Sequence, residues 1–299
     1  FSTDGGTIKL DGNYPTGSDN VALGNTALDS VEAGGSANTA IGTNALTAVT
    51  TADDNTAVGQ NTLRSNVQAK NTAIGAGALC SNTDGYDNTA VGRTALNKNT
   101  GGYGNTAVGS CASEANTTGD YNVSVGYAAL CANTTANNNV AVGNVSLGTN
   151  TTGTSNVAVG NNSLRRNTTA DSNTAVGECS LCANTTGTAN TALGTKALDS
   201  NTTASKNTAV GRQSLTTNTT GCFNTAVGES SMAANTTGNC NIAVGMCSLV
   251  ANTEGCFNTA LGNSSLASNT TADRNTAIGM SALLSTTTGC CNTGVGQGA

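Results

Sequence analysis

Asn173-Thr-Ala-Val-Gly-Glu-Cys-Ser-Leu181 decides the fold, because a variant of these nine residues opens almost every stretch of the chain. Its asparagine recurs at Asn20, Asn38, Asn55, Asn71, Asn88, Asn105, Asn122, Asn139, Asn156, Asn173, Asn190, Asn207, Asn224, Asn241, Asn258, Asn275 and Asn292. From Asn71 to Asn292 the spacing is 17 residues thirteen times in succession, after first intervals of 18, 17 and 16. So short and strict a period makes the chain an array of small units, each burying its apolar side only against its neighbours.

With the asparagine as position 1, position 4 is aliphatic and position 5 is Gly in all seventeen units. Position 2 is Thr, Val or Ile, and position 3 is Ala except at Ser124 and Gly294. Position 9 is Leu in fourteen of the sixteen complete units, Ser113 and Met232 being the exceptions. The two-residue step from 2 to 4, filled by β-branched side chains, is the period of a strand. A helix would need apolar residues three and four apart and would not tolerate this much Gly, Asn and Thr. Each unit therefore reads as one coil: a short strand over positions 1 to 4, a Gly corner, a second short strand ending at the Leu, and a return through Asn-Thr-Thr-Gly. Stacked at ~4.8 Å per coil by parallel pairing, seventeen coils would make a rod of roughly 80 Å. The expected class is all-β, a parallel β-solenoid or β-roll of about seventeen coils, assembled into a trimer or fibre.

Composition supports a thin, one-dimensional core. The 299 residues include eight aromatics, no Trp, no His and one Pro, and only 9% are charged. The net charge of −6 is dispersed, which argues against nucleic acid, since phosphate neutralisation needs a basic face. No stretch reaches the roughly 18 apolar residues of a membrane span. Residues 1–19 lie off the repeat, with a strand-like run Thr7–Leu10 and a turn cluster around Pro15, and read as an N-terminal cap or upstream connection. Residues 20–299 are the repeat array, its last coil incomplete. The stretch Phe1–Gly6 has neither the basic nor the apolar region of a signal peptide, and the last coil stops mid-unit, so a removed signal, a longer natural chain or a stacked copy is expected.

The columns suggest roles. Val58, Val91, Val176 and Val210 with Leu63, Leu96, Leu181 and Leu215 are expected as the core ladder, and Gly59, Gly92, Gly177 and Gly211 as corners that a Cβ would obstruct. Asn at position 1, and at position 12 in thirteen coils from Asn66 to Asn269, would form amide ladders along the stack. If positions 2 and 4 face inward, position 3 faces out, and Ala57, Ala90, Ala175 and Ala209 then belong to an assembly face closed to larger side chains. The alternative is that position 3 points into a very narrow coil and the column is core.

The units Asn-Thr-Ala-Val-Gly, Asn-Val-Ala-Val-Gly (Asn139 to Gly143, Asn156 to Gly160) and Asn-Val-Ala-Leu-Gly (Asn20 to Gly24) resemble the head repeats of trimeric autotransporter adhesins of the YadA type. They are also similar to the longer NTAVG repeats of phage tail-fibre and bacterial surface proteins. The resemblance covers residues 20–299 and implies a left-handed parallel β-roll that trimerises. The adhesin coil is shorter than 17 residues, so the Asn-Thr-Thr-Gly return has no counterpart there. Tail-fibre arrays of this kind are often followed by a self-cleaving chaperone domain, so the resemblance implies a C-terminal part beyond residue 299.

Little in the sequence points to chemistry. There is no His, the acidic and basic residues share no column, and the Asp in every turn that a calcium-binding roll needs is missing, so neither enzyme, cofactor nor metal is expected. Among eleven cysteines, Cys222, Cys240 and Cys256 fall at positions 16, 17 and 16 of consecutive coils and are the disulfide candidates, Cys240 being able to reach either neighbour but not both. Glycosylation sequons stand at Asn116, Asn133, Asn150, Asn167, Asn184, Asn201, Asn218, Asn235 and Asn269. The asparagine persists at Asn66, Asn82, Asn99 and Asn252 where the sequon is lost, which favours a structural ladder over sugar. Tyr86, Tyr103, Tyr121, Phe223 and Phe257 stand just before the next anchor and read as corner packing.

The function expected is that of a structural, extracellular β-solenoid, in a fibre, adhesin or virion fibre. It would associate with copies of itself as a trimer or head-to-tail fibre, and meet a host-surface receptor or glycan. The alternative is a stand-alone solenoid that binds ice or glycan through its threonines. Threonines 13 and 14 of the coil are adjacent, however, and would point opposite ways on a strand.

Overall fold

The computed structural model describes residues 17–299, so the Thr7–Leu10 strand and Pro15 turn expected in the 1–19 segment lie outside the described residues. Each coil contributes one three-residue strand, at positions 2 to 4, and the described residues contain no helix. The chain divides into two compact units, Phe1–Thr152 and Gly153–Ala299. The first holds β1 (Val21–Leu23), β2 (Thr39–Ile41), β3 (Thr56–Val58), β4 (Thr72–Ile74), β5 (Thr89–Val91), β6 (Thr106–Val108), β7 (Val123–Val125) and β8 (Val140–Val142). The second holds β9 (Val157–Val159), β10 (Thr174–Val176), β11 (Thr191–Leu193), β12 (Thr208–Val210), β13 (Thr225–Val227), β14 (Ile242–Val244), β15 (Thr259–Leu261), β16 (Thr276–Ile278) and β17 (Thr293–Val295). Within each unit consecutive strands pair in parallel with no shift of register, Ala57 beside Ala73 and Ala175 beside Ala192. Each unit is a parallel β-solenoid.

Backbone bonds along the stack extend beyond the strands. Thr56 N–H donates to Asn71 O at 2.9 Å, Gly59 N–H to Ile41 O at 2.7 Å, and Leu63 N–H to Ala78 O at 3.0 Å. Each coil thus satisfies its main chain with its two neighbours, which leaves it little means of folding alone.

The second half of the coil is a turn rather than the second strand expected from the sequence. Positions 7 and 9 are left-handed, as in Cys179 (φ 53°) and Leu181 (φ 49°), and position 17 is as well, as in Ala189 (φ 57°). A 17-residue coil must reverse direction within a few residues, and alternating left-handed residues do this while leaving Leu181 N–H bonded to Ala197 O at 3.0 Å. The corner glycine is fixed by packing as well as conformation. At Gly177 (φ +127°) an added Cβ would lie 2.7 Å from the Gly194 carbonyl carbon of the next coil.

The strand faces the opposite way from the preferred sequence reading. Ala57, Ala90, Ala175 and Ala209, expected as an assembly face, are fully buried inside their own coils. Val58, Val91, Val176 and Val210, expected in the core ladder, stand half-buried on the outer face. Leu63, Leu96, Leu181 and Leu215 are fully buried. Period two states only that positions 2 and 4 share a face opposite to 3; the width of the coil decides which face is inside. That width is narrow: the fully buried alanine methyls fill the column, and at Gly294 even a Cβ would come within 2.8 Å of Leu283 Cγ.

Candidate functional surfaces

Two asparagine ladders run through the interior. At position 1, Asn173 Nδ2 donates to Gly187 O at 2.9 Å while its Oδ1 accepts Asn190 N–H at 3.0 Å. At position 12, Asn184 Nδ2 donates to Asn167 Oδ1 at 3.1 Å and to Gly187 O at 2.9 Å. Amides suit this place because one side chain carries both donors and an acceptor in a plane that can repeat every coil. The sequon asparagines Asn116, Asn133, Asn150, Asn167, Asn184, Asn201, Asn218, Asn235 and Asn269 are all rungs of the second ladder and all buried. A glycan there would require the rung to be broken, so the sugar reading is replaced by the structural one. The ladder ends at Asn269, whose Oδ1 is buried without a hydrogen-bond partner, because the next coil has Thr286 at position 12.

A third set of rungs, at position 16, was not recognised in the sequence. Tyr103 N–H donates to Asp120 Oδ1 at 3.0 Å, Asp120 N–H to Asn137 Oδ1 at 2.7 Å, and Cys256 N–H to Asp273 Oδ1 at 2.7 Å. Sulfur takes the same place. Ser205 N–H points to Cys222 Sγ at 3.4 Å and Asn239 N–H to Cys256 Sγ at 3.3 Å. The signal was a column of short acceptors, Asp, Asn, Ser and Cys, hidden by their chemical variety. Cys222, Cys240 and Cys256, the disulfide candidates, are free thiols, as are the other eight cysteines. The sulfurs at position 16 are directed at the preceding coil's backbone rather than at Cys240.

The outer strand face carries the threonines or valines of position 2 and the aliphatics of position 4. Leu23, Ile41, Ile74, Val108, Leu193, Val244 and Ile278 are 36–41% exposed there, whereas the leucines of position 9 are almost all fully buried. No strand contains a charged residue. The return threonines behave differently: Thr117 Oγ1 at position 13 donates to Thr134 O at 2.9 Å, whereas Thr118 at position 14 is exposed. They do not form one flat array.

At the corner before the anchor, Tyr86 and Tyr103 stack with ring centroids 4.9 Å apart, and Tyr121 meets Tyr103 edge-on at 5.1 Å. A hydrogen bond with Tyr121 is the main influence raising the Tyr103 phenol. In the second unit Lys206 Nζ lies 5.0 Å from the Phe223 ring centroid, and Arg274 covers Phe257 at 5.9 Å. The rings thus pack on neighbouring coils. A shallow groove is lined by Arg165, Arg166, Cys182 and Asp199. Burial raises both the Asp199 carboxyl, against the pull of Lys196, and the Cys182 thiol, to which Cys179 adds. Among the described residues no three His, Cys, Asp or Glu side chains converge as a metal site would require, and no helix is long and apolar enough to cross a membrane. No protein-family model matches the chain, and no curated protein does either.

Proposed function

We propose that this chain is a structural protein: a rigid extracellular β-solenoid of the fibre or adhesin kind that assembles with copies of itself and presents a repetitive surface. The observation that supports this best is that, within each unit, successive coils are closed onto one another by buried asparagine rungs, such as Asn173 to Asn156 and Asn184 to Asn167. Stiffness and length are what such a construction provides. Catalysis has no part in the reading; a trimer or head-to-tail fibre, with a host-surface receptor or glycan as further partner, does. Sedimentation and electron microscopy of the purified protein test it. Uniform multimers or filaments are expected, and a dispersed 29.2 kDa monomer at all concentrations would refute it.

A second reading, a solenoid that binds ice or a glycan surface on its own, is favoured by one feature. The threonines of position 2, such as Thr174, Thr191 and Thr208, stand in register in a column on the outer face. Thermal hysteresis of the monomer would support it.

A further inference from the structure

We propose that the outer face of strands β9–β17 is the surface on which a second copy of this chain docks, sheet face against sheet face. The proposal rests on the self-associating reading above and gives it a location. The buried alanine column cannot be that surface, since Ala175 and Ala209 have no exposed area.

Four observations carry it. Beside the threonines of position 2, the face carries an unbroken aliphatic row at position 4 where water would be expected: Leu193 and Val244 are 38% exposed and Ile278 40%, with Ile242 of position 2 at 44%. It is uncharged along all nine strands, while the corners beside it carry Glu178, Arg212 and Glu229 on one side and Lys206 and Arg274 on the other. An uncharged centre carrying an exposed aliphatic row, with a charged rim, is the anatomy of a protein interface, and such rows are uncommon on surfaces left free. The face is also regular, because the strands pair without any register shift, from Thr191 beside Thr208 to Thr276 beside Thr293. Its β-branched side chains are stiff, so little side-chain freedom is lost on docking.

Regularity selects the occupant. Rows repeating at one coil per ~4.8 Å are matched along their whole length by another sheet of the same spacing, and two such faces interdigitate ~10 Å apart. A second copy of the chain has that spacing by construction, and the same rows are present on every copy. The area is of the right order. Five of the nine strands have both outward residues less exposed than Leu193, so nine strands offer on the order of several hundred Å², approaching the roughly 800 Å² share of one partner in a standard stable interface.

The test is sedimentation of the full chain with Leu193→Lys and Val244→Lys together, beside Leu193→Thr with Val244→Thr and the control Thr186→Lys with Thr237→Lys on the exposed return. Both strand positions are half-exposed, so lysine can extend into water without opening the coil, and far-UV circular dichroism checks that it does. The expected result is assembly by the parent chain and the control, at least a tenfold weaker assembly for the threonine pair, and monomer for the lysine pair. Full assembly by all three variants would overturn the proposed face and leave the self-association reading standing. A parent chain that stays monomeric would overturn both. A monomer with thermal hysteresis abolished by the lysine pair would assign the face to ordered water instead of a second copy.

Discussion

Ser113 and Ser124 are the exceptions to the leucine and alanine columns, and they meet: Ser113 Oγ donates to Ser124 Oγ at 2.9 Å, both residues being buried. Ser124→Ala restores the alanine column but leaves the Ser113 hydroxyl without this partner, at a cost of about 1–3 kcal/mol. Ser113→Leu restores the leucine column. It contributes up to roughly 1.5–3 kcal/mol of apolar burial, against the extra Ser124 oxygen, which keeps only a long contact with Thr106 O at 3.4 Å. The double variant returns both columns to the consensus and should exceed the sum of the singles by about 1–2 kcal/mol. Long repeat arrays do not unfold in one step, so the assay is amide exchange at Ala115 and Asn116, whose N–H groups bond Cys131 O at 3.0 Å and Ser113 O at 3.1 Å. Additivity within about 0.3 kcal/mol would show that the two hydroxyls do not support each other, and would refute the argument.

Thr286→Asn extends the position-12 ladder by one rung and gives the buried Asn269 Oδ1 a donor. Slower amide exchange around Asn269, by about 1 kcal/mol of protection, is expected, and unchanged exchange would mean that the ladder does not continue. Asp199 supplies a pH dependence. Burial raises its folded-state pKa, so its contribution to stability is fully present below the unfolded pKa, about 3.9, and is lost as pH rises through the higher folded value. Asp199→Asn should therefore melt higher than the parent chain at neutral pH, with the difference shrinking towards pH 4; an equal difference at both pH values would contradict a burial origin.

The repeat, its parallel β class, the one-residue corner that only Gly fills and the two asparagine ladders were legible in the sequence, because each is a column that 17-residue periodicity lines up without reference to any other. The period fixes which residues stack on themselves, and Asn173, Gly177 and Leu181 had to stack on Asn190, Gly194 and Leu198. What it does not fix is the relation between columns within one coil. Whether Ala175 or Val176 faces inward depends on the distance from strand to Leu column, and that distance is set by left-handed turns at positions such as Cys179 and Leu181 that no residue type announces. The same is true of the rungs at position 16, where Asp120, Ser205 and Cys222 share a role only because their acceptors reach the preceding coil's N–H groups. Strand alternation is symmetric in sequence and becomes asymmetric only when the chain closes around a core one methyl wide, which is why tertiary structure alone decided which face of this protein meets the outside.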